Sequence, residues 1–310
     1  MGAGDRMGQR RMPLFLPIAV VLFAVMSPLF VTGWKYEVFY VLPGNALQAK
    51  IQLWLILIIA QAALWVLCIF YLATNLSRLS ANTTSLARQM KPASMLLLPP
   101  GILLIAFVAQ QFLRPPPLPP PELGGYDISR LHWFGTIGML VAGWAVWEMY
   151  FVRSLWEVEF ASAKPLAEKI AKHMELREDV LRLLLLAAVV LALGTIAGAA
   201  LRNAVNSDQY SGYFAEEYII IYGAVYSMLL LVAYVPVYAT FYSTGVKLRE
   251  ILSGEPPASA MEFKPWKETR DAVNESLGLT LSSAAALGPP LSALLPVLSA
   301  WAASLLEGKT

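Results

Sequence analysis

Six apolar stretches, each about long enough to cross a bilayer as a helix, divide this chain into loops whose basic residues are sorted by side. The stretches are Met12–Val31, Gln52–Tyr71, Met95–Leu113, Trp133–Val152, Leu183–Leu201 and Tyr218–Phe241. Of the 23 Lys and Arg residues, all but Lys35, Lys50, Arg114, Arg130 and Arg202 then fall on one face. An excess of Lys and Arg in alternate short loops marks the cytoplasmic side. The pattern predicts an all-α polytopic bundle with both termini cytoplasmic, in a cell (inner) membrane. Residues 1–246 form the bundle, 153–182 a charged helical cytoplasmic loop, and 247–310 a cytoplasmic tail.

Composition agrees: the chain of 310 residues is 57% hydrophobic and 14% charged, too little charge to cover a water-facing surface of this size. The single cysteine, Cys68, excludes an intrachain disulfide and a Cys-ligated metal cluster. The two histidines, His132 and His173, fall on opposite sides of the six-span topology, so a bis-histidine haem is not expected. The first apolar stretch follows Arg6, Arg10 and Arg11 but is too long for an ordinary signal-peptide core and lacks a small-x-small cleavage site, so it reads as a retained span. Two sequons, at Asn75 and Asn82, fall on the inner side and read as chance matches.

Three features interrupt the pattern. Pro99 and Pro100 lie near the start of the third stretch, where proline is tolerated. The run Arg114 to Glu122 is largely proline and predicts a stiff extended spacer of about 20 Å. In the tail, Pro265 opens a predicted helix with Trp266, Val273 and Leu277 on one stripe, and Leu279–Leu306 is almost wholly apolar but interrupted by Gly288, Pro289 and Pro290. Each piece is too short to span, which predicts a broken helix: a kinked seventh span, a re-entrant hairpin or a hairpin on the inner face. Within the cytoplasmic loop, Pro165 opens a predicted helix with Leu166, Ile170 and Met174 at four-residue spacing, able to run into the fifth span.

Small residues form two seams. Gly135, Gly138, Ala142 and Ala145 lie within an arc of roughly 80° on the fourth span, and Ala187, Gly194 and Gly198 within roughly 40° on the fifth. Small residues let helix backbones approach closely in lipid. These seams are expected to pack the two spans together, or to join copies in an oligomer. The sixth span carries tyrosines at 218, 222 and 226 and at 234, 238 and 242, two clusters near opposite ends. Interfacial belts account for most of them, while Tyr226 and Tyr234 sit deeper and need hydroxyl partners. Pro236 is expected to act as a hinge.

Glu148 is the one acidic residue within a span. Placed about one turn from the inner end, near Arg153, it is expected to snorkel or pair at the interface. Gln61 is the most central polar group and is expected to bond to another helix. No phosphate-binding loop, nucleotide fingerprint, HExxH or GxSxG occurs. No metal, cofactor or nucleic-acid partner is expected. The sequence points to a non-enzymatic membrane subunit that binds partners in a membrane complex or self-associates, with a permeabilising effector as its sharper form. A transporter or channel is the alternative.

Overall fold

A computed structural model describes residues 20–23, 26–27, 46–81, 128–206, 216–257, 259–279 and 284–307. Six helices follow in order: α1 (Ala46–Ala81), α2 (Ile128–Ala161), α3 (Leu166–Val205), α4 (Glu216–Ser253), α5 (Ala260–Ser276) and α6 (Ala284–Glu307), with no strand among the described residues. Four segments are long and apolar enough to cross a membrane: Ala49–Leu79, Gly135–Ala161, Leu166–Ala204 and Glu217–Ser253. They contain the second, fifth and sixth expected spans and the fourth from Gly135 onward. The third expected span lies outside the described residues, and of the first only residues 20–23 and 26–27 are described.

The helices overrun the predicted spans because nothing stops them. Beyond Tyr71, α1 continues for ten residues without Gly or Pro, and Leu72 and Leu79 keep its buried stripe in register. At 40 residues, α3 is about 60 Å long, roughly twice the thickness of a hydrocarbon core. The predicted charged loop 153–182 is therefore the end of α2 and the start of α3, joined only by residues 162–165. That link is tied down locally. The Ser162 amide donates to Glu159 O at 3.2 Å, and Lys169 Nζ donates to Phe160 O at 2.9 Å, placing a cation on the C-terminal carbonyls of α2. Lys164 donates to Glu159 Oε1 at 2.5 Å, and this hydrogen bond raises the lysine pKa above its ordinary value. In the first turns of α3 the buried stripe is His173, Leu176 and Val180, while Met174 faces outward.

α3 is the central helix, packed against α1, α2, α4 and α6. Its buried face is mostly small or branched: Leu183, Leu184, Ala187, Ala188 and Val190. Opposite them lie Ala142, Ala145, Met149, Val152 and Trp156 of α2, with Trp54, Trp65 and Leu72 of α1 in the same core. Alternating small and bulky side chains let four helices share one core at ordinary packing density.

The tail departs from the expected broken helix. α6 runs without interruption through Gly288, Pro289 and Pro290. The two prolines fall in its second turn, where they remove two backbone bonds close to an end that already lacks four. The rest of α6 is fixed by packing against α3 and α4. Its inward face is Ala293, Pro296 and Ala300. At its far end, a Cβ placed on Gly223 of α4 would lie 2.7 Å from Ala300 Cβ, 2.7 Å from Pro296 O and 3.0 Å from Val297 Cα. One turn along α4, the buried Ser227 Oγ accepts a hydrogen bond from the Val297 amide at 3.1 Å. Leu279, just before α6, lies against Gly245 near the other end of α4. The C-terminal segment thus follows α4 antiparallel from Gly245 to Gly223, a distance of about 33 Å along the helix.

α5 starts at Ala260, five residues before the proline expected to open it, with the Glu262 and Phe263 amides donating to O of the N-cap Ser259 at 3.2 Å. It ends at Gly278 (φ 65°), where the Leu279 amide reaches back to Asn274 O at 2.8 Å. The Arg177 guanidinium lies over Gly278 and would have to swing aside for a side chain there. The left-handed backbone is what favours glycine at this position.

Candidate functional site: a cavity within the helix bundle

The helices carrying the two small-residue seams, α2 and α3, pack against each other, but the seam glycines face other helices. Gly138 receives α1, since a Cβ there would lie 2.8 Å from Cζ2 of Trp65. Gly194 also faces α1, with Gln61 Nε2 3.1 Å from the corresponding position. Gly198 faces α4 more loosely, 3.6 Å from Ile219 Cδ1. Farther along the seams, Ala142, Ala145 and Ala187 are buried in the shared core.

Between these positions the helices leave a cavity of about 180 Å³. α1 contributes Trp54, Ile58 and Gln61; α2 contributes Gly135, Gly138 and Met139; α3 contributes Val190 to Leu201; α4 contributes Ile219, Tyr222 and Tyr226. The glycines expected as contact seams are therefore also walls, and the missing side chains account for part of the space. Tyr222 and Tyr226 stack at 6.3 Å between centroids and form an aromatic wall. The Thr195 hydroxyl is committed to Leu191 O at 2.9 Å. Gln61 is 4% exposed and lines the cavity, and its carboxamide makes no hydrogen bond among the described residues. Its expected helix-to-helix bond does not occur among the described residues, where the group faces the cavity. Among the described residues, no Asp, Glu, Lys, Arg or His lines this space.

A second polar layer lies toward the end where α2 and α3 join. Glu148 is fully buried. Its Oε2 accepts from Asn75 Nδ2 at 3.0 Å, and its Oε1 has no hydrogen bond. Arg153, the expected partner, pairs with Glu157 at 3.0 Å on its own helix. One turn beyond Asn75, Arg78 donates to Asn75 Oδ1 at 2.9 Å and pairs with the buried carboxylate of Asp179 on α3. Asn75 and Arg78, three residues apart on α1, thus join acids on two other helices. Glu148 does not snorkel because α1 runs past Tyr71 and covers it.

Around His173, Trp156 and Phe241 pack at 4.9 Å and 5.6 Å between centroids, and neither imidazole nitrogen has a hydrogen bond. The ring borders a void of about 20 Å³ shared with Tyr234, Tyr238 and Arg177, room for about one water. Trp156 Nε1 donates to Thr244 Oγ1 at 2.7 Å, fixing the indole against α4. Tyr226 and Tyr234 therefore serve different walls. Pro236, between them in chain order, lies inside α4, which runs through it from Glu216 to Ser253.

The sequence reading missed Asn75, Arg78, Asp179, Gly223 and Ser227. The Gly223-x-x-x-Ser227 spacing was the available signal for the α4–α6 contact. Asn75 and Arg78 lay just past the drawn end of a span and were counted as loop. Among the described residues, no group of three or more His, Cys, Asp and Glu side chains is placed to hold a metal ion. No protein-family model, curated protein or solved structure matches the chain.

Proposed function

We propose that this is a non-enzymatic, multi-pass membrane protein that works by accommodating a small neutral molecule between its helices, the mode of action of a transporter or channel. One observation carries the reading: a cavity between the helices whose wall holds a largely buried carboxamide, Gln61, with no hydrogen bond among the described residues. A bound molecule with a polar group would give this carboxamide a hydrogen-bond partner. Ligand sites are concave and mainly apolar, with few convergent polar groups, as this wall is. The permeabilising-effector form is disfavoured, because the apolar C-terminal segment is seated along α4 down to backbone contact rather than standing free.

The proposed topology keeps the α2–α3 link and α5 in the cytoplasm, as the Lys and Arg distribution requires. It takes α6 as an additional traversing helix, since that helix follows α4 for most of its length. The end of α6 at Glu307 then lies on the face opposite α5, in place of the cytoplasmic tail read from the sequence. A second reading, a partner-binding or self-associating subunit, rests on α5, where Met261 is 90% exposed and Phe263 also faces outward, beyond the four candidate spans.

The test is ligand-dependent thermal stabilisation of the protein in lipid nanodiscs. A set of small neutral molecules is compared with cations and anions of similar size. Neutral compounds should raise the melting temperature of the wild type and not that of Gly198→Leu, whose side chain fills the cavity. Equal responses of the two proteins to every compound would remove the support for solute binding.

A further inference from the structure

We infer that the cavity takes a neutral, ring-sized molecule bearing a single hydroxyl group, and that Gln61 holds that hydroxyl. This rests on the solute-binding reading and narrows its chemistry.

Size comes first. A protein cavity of about 150 Å³ is sufficient for benzene, and this one measures about 180 Å³. A six-membered ring with one small substituent fills it. Shape agrees with size: the stacked Tyr222 and Tyr226 form one wall, and Gly135, Gly138, Gly194 and Gly198 lie among the apolar side chains of the others. The aromatic wall suits a flat body with offset stacking.

Charge comes second. Among the described residues, no ionised side chain lines the cavity. A carboxylate or ammonium brought there would lose its hydration without gaining a counter-ion, which no affinity from this wall could offset. The ligand is therefore neutral.

Polarity comes third. A pure hydrocarbon would leave Gln61 unpartnered. The carboxamide has an NH₂ that donates and a carbonyl that accepts. One hydroxyl answers both, accepting from Nε2 and donating to Oε1. Thr195 does not compete, since its hydroxyl is held by Leu191 O. Gly194 keeps the amide accessible, because a methyl group there would press on Nε2 from 3.1 Å.

The test uses 4-fluorophenol and fluorobenzene as probes of nearly equal size, observed by ¹⁹F NMR with full-length protein in nanodiscs. Empty nanodiscs correct for partition into lipid. The expected result is saturable binding of 4-fluorophenol in preference to fluorobenzene. Gln61→Leu should weaken 4-fluorophenol about fivefold, the loss of one net hydrogen bond, and leave fluorobenzene equal or tighter. This variant replaces an unpartnered buried amide with an apolar side chain of similar size, so it keeps the fold. Gly198→Leu, built where a Cβ has ordinary clearance, should abolish saturable binding of both probes.

Equal binding of the two probes, or an unchanged 4-fluorophenol affinity in Gln61→Leu, would overturn the hydroxyl assignment while the cavity remained a site. Absence of saturable binding by either probe would overturn the ring-sized class. In that case the wider thermal-stabilisation comparison still decides whether the cavity takes a neutral solute of another shape.

Discussion

Replacing Gly223 with alanine tests the least expected part of the fold, the seating of α6 along α4. The added methyl would meet Ala300 Cβ and Pro296 O at 2.7 Å and Val297 Cα at 3.0 Å. Two of these three atoms belong to the α6 backbone, so no rotamer change relieves the clash. Moving from 2.7 Å to the 3.4 Å of ordinary contact requires α6 to retreat by about 0.7 Å. Overpacking of this kind typically destabilises by about 1–3 kcal/mol. The same retreat stretches the Val297 amide to Ser227 hydrogen bond beyond its present 3.1 Å, a further loss of about 0.5–1.5 kcal/mol. Against these stands the intrinsic gain of alanine over glycine in a helix, about 1 kcal/mol. The net expectation is destabilisation by about 1–3 kcal/mol. Gly198→Ala is the control: its Cβ has 3.6 Å of clearance from Ile219 Cδ1, so the helix term dominates and the variant gains up to about 1 kcal/mol. Equilibrium unfolding in mixed detergent micelles, read by tryptophan fluorescence, measures both. If Gly223→Ala is as stable as Gly198→Ala, α6 is not packed on α4 at this crossing.

Three further outcomes follow from the same geometry. Asn75→Leu removes the Asn75 hydrogen bond to Glu148 and should destabilise by about 1–3 kcal/mol, whereas Glu148→Gln, which keeps an acceptor for Asn75, should unfold at or above the wild-type detergent midpoint. Gly278→Ala forces a side chain into a left-handed backbone beneath Arg177; it should destabilise by about 1–2 kcal/mol or more and speed proteolysis between α4 and α6, measured by limited digestion. In a Cys68→Ala background, cysteines replacing Lys172 and Lys309 should react with an impermeant thiol reagent from opposite sides of oriented vesicles, and labelling of both from one side would refute the traversing α6.

Helix type and the positions of four spans were legible because an apolar run of about 20 residues has few other solutions. Helix ends were not. Hydropathy drops at Tyr71, but backbone hydrogen bonding does not, and ten more residues of α1 carry Asn75 and Arg78 over Glu148. The same blind spot placed Glu148 at an interface: a one-dimensional reading measures depth along its own helix and not what a neighbour covers. The glycine seams were found by angular counting, but which helix fills a seam is a tertiary fact. Trp65 fills Gly138, and nothing on α2 announces it. In the tail, Pro289 and Pro290 were weighed as breakers without their distance from the helix start, which decides how many backbone bonds they remove.

The two polar layers are separated in a way that constrains any mechanism. On α1, Gln61 and Asn75 are fourteen residues apart, about 21 Å along the helix. Between them Trp65, Leu72, Met149 and Leu184 are fully buried and form a continuous apolar wall from three helices. A neutral molecule at Gln61 has no passage to the Asn75–Glu148 layer without displacement of these side chains. Trp65 is held over Gly138 at a distance that leaves no slack, so the wall moves only if α1 and α2 shift together relative to α3. Such a shift would act directly on the network, because Asn75 and Arg78 ride on α1 while Glu148 rides on α2 and Asp179 on α3. Opening toward that end and rearrangement of the carboxylate contacts would therefore be one motion. Gly138→Ala, which wedges α1 from α2 at the top of the wall, should disturb both layers, whereas Gln61→Leu should disturb the cavity alone.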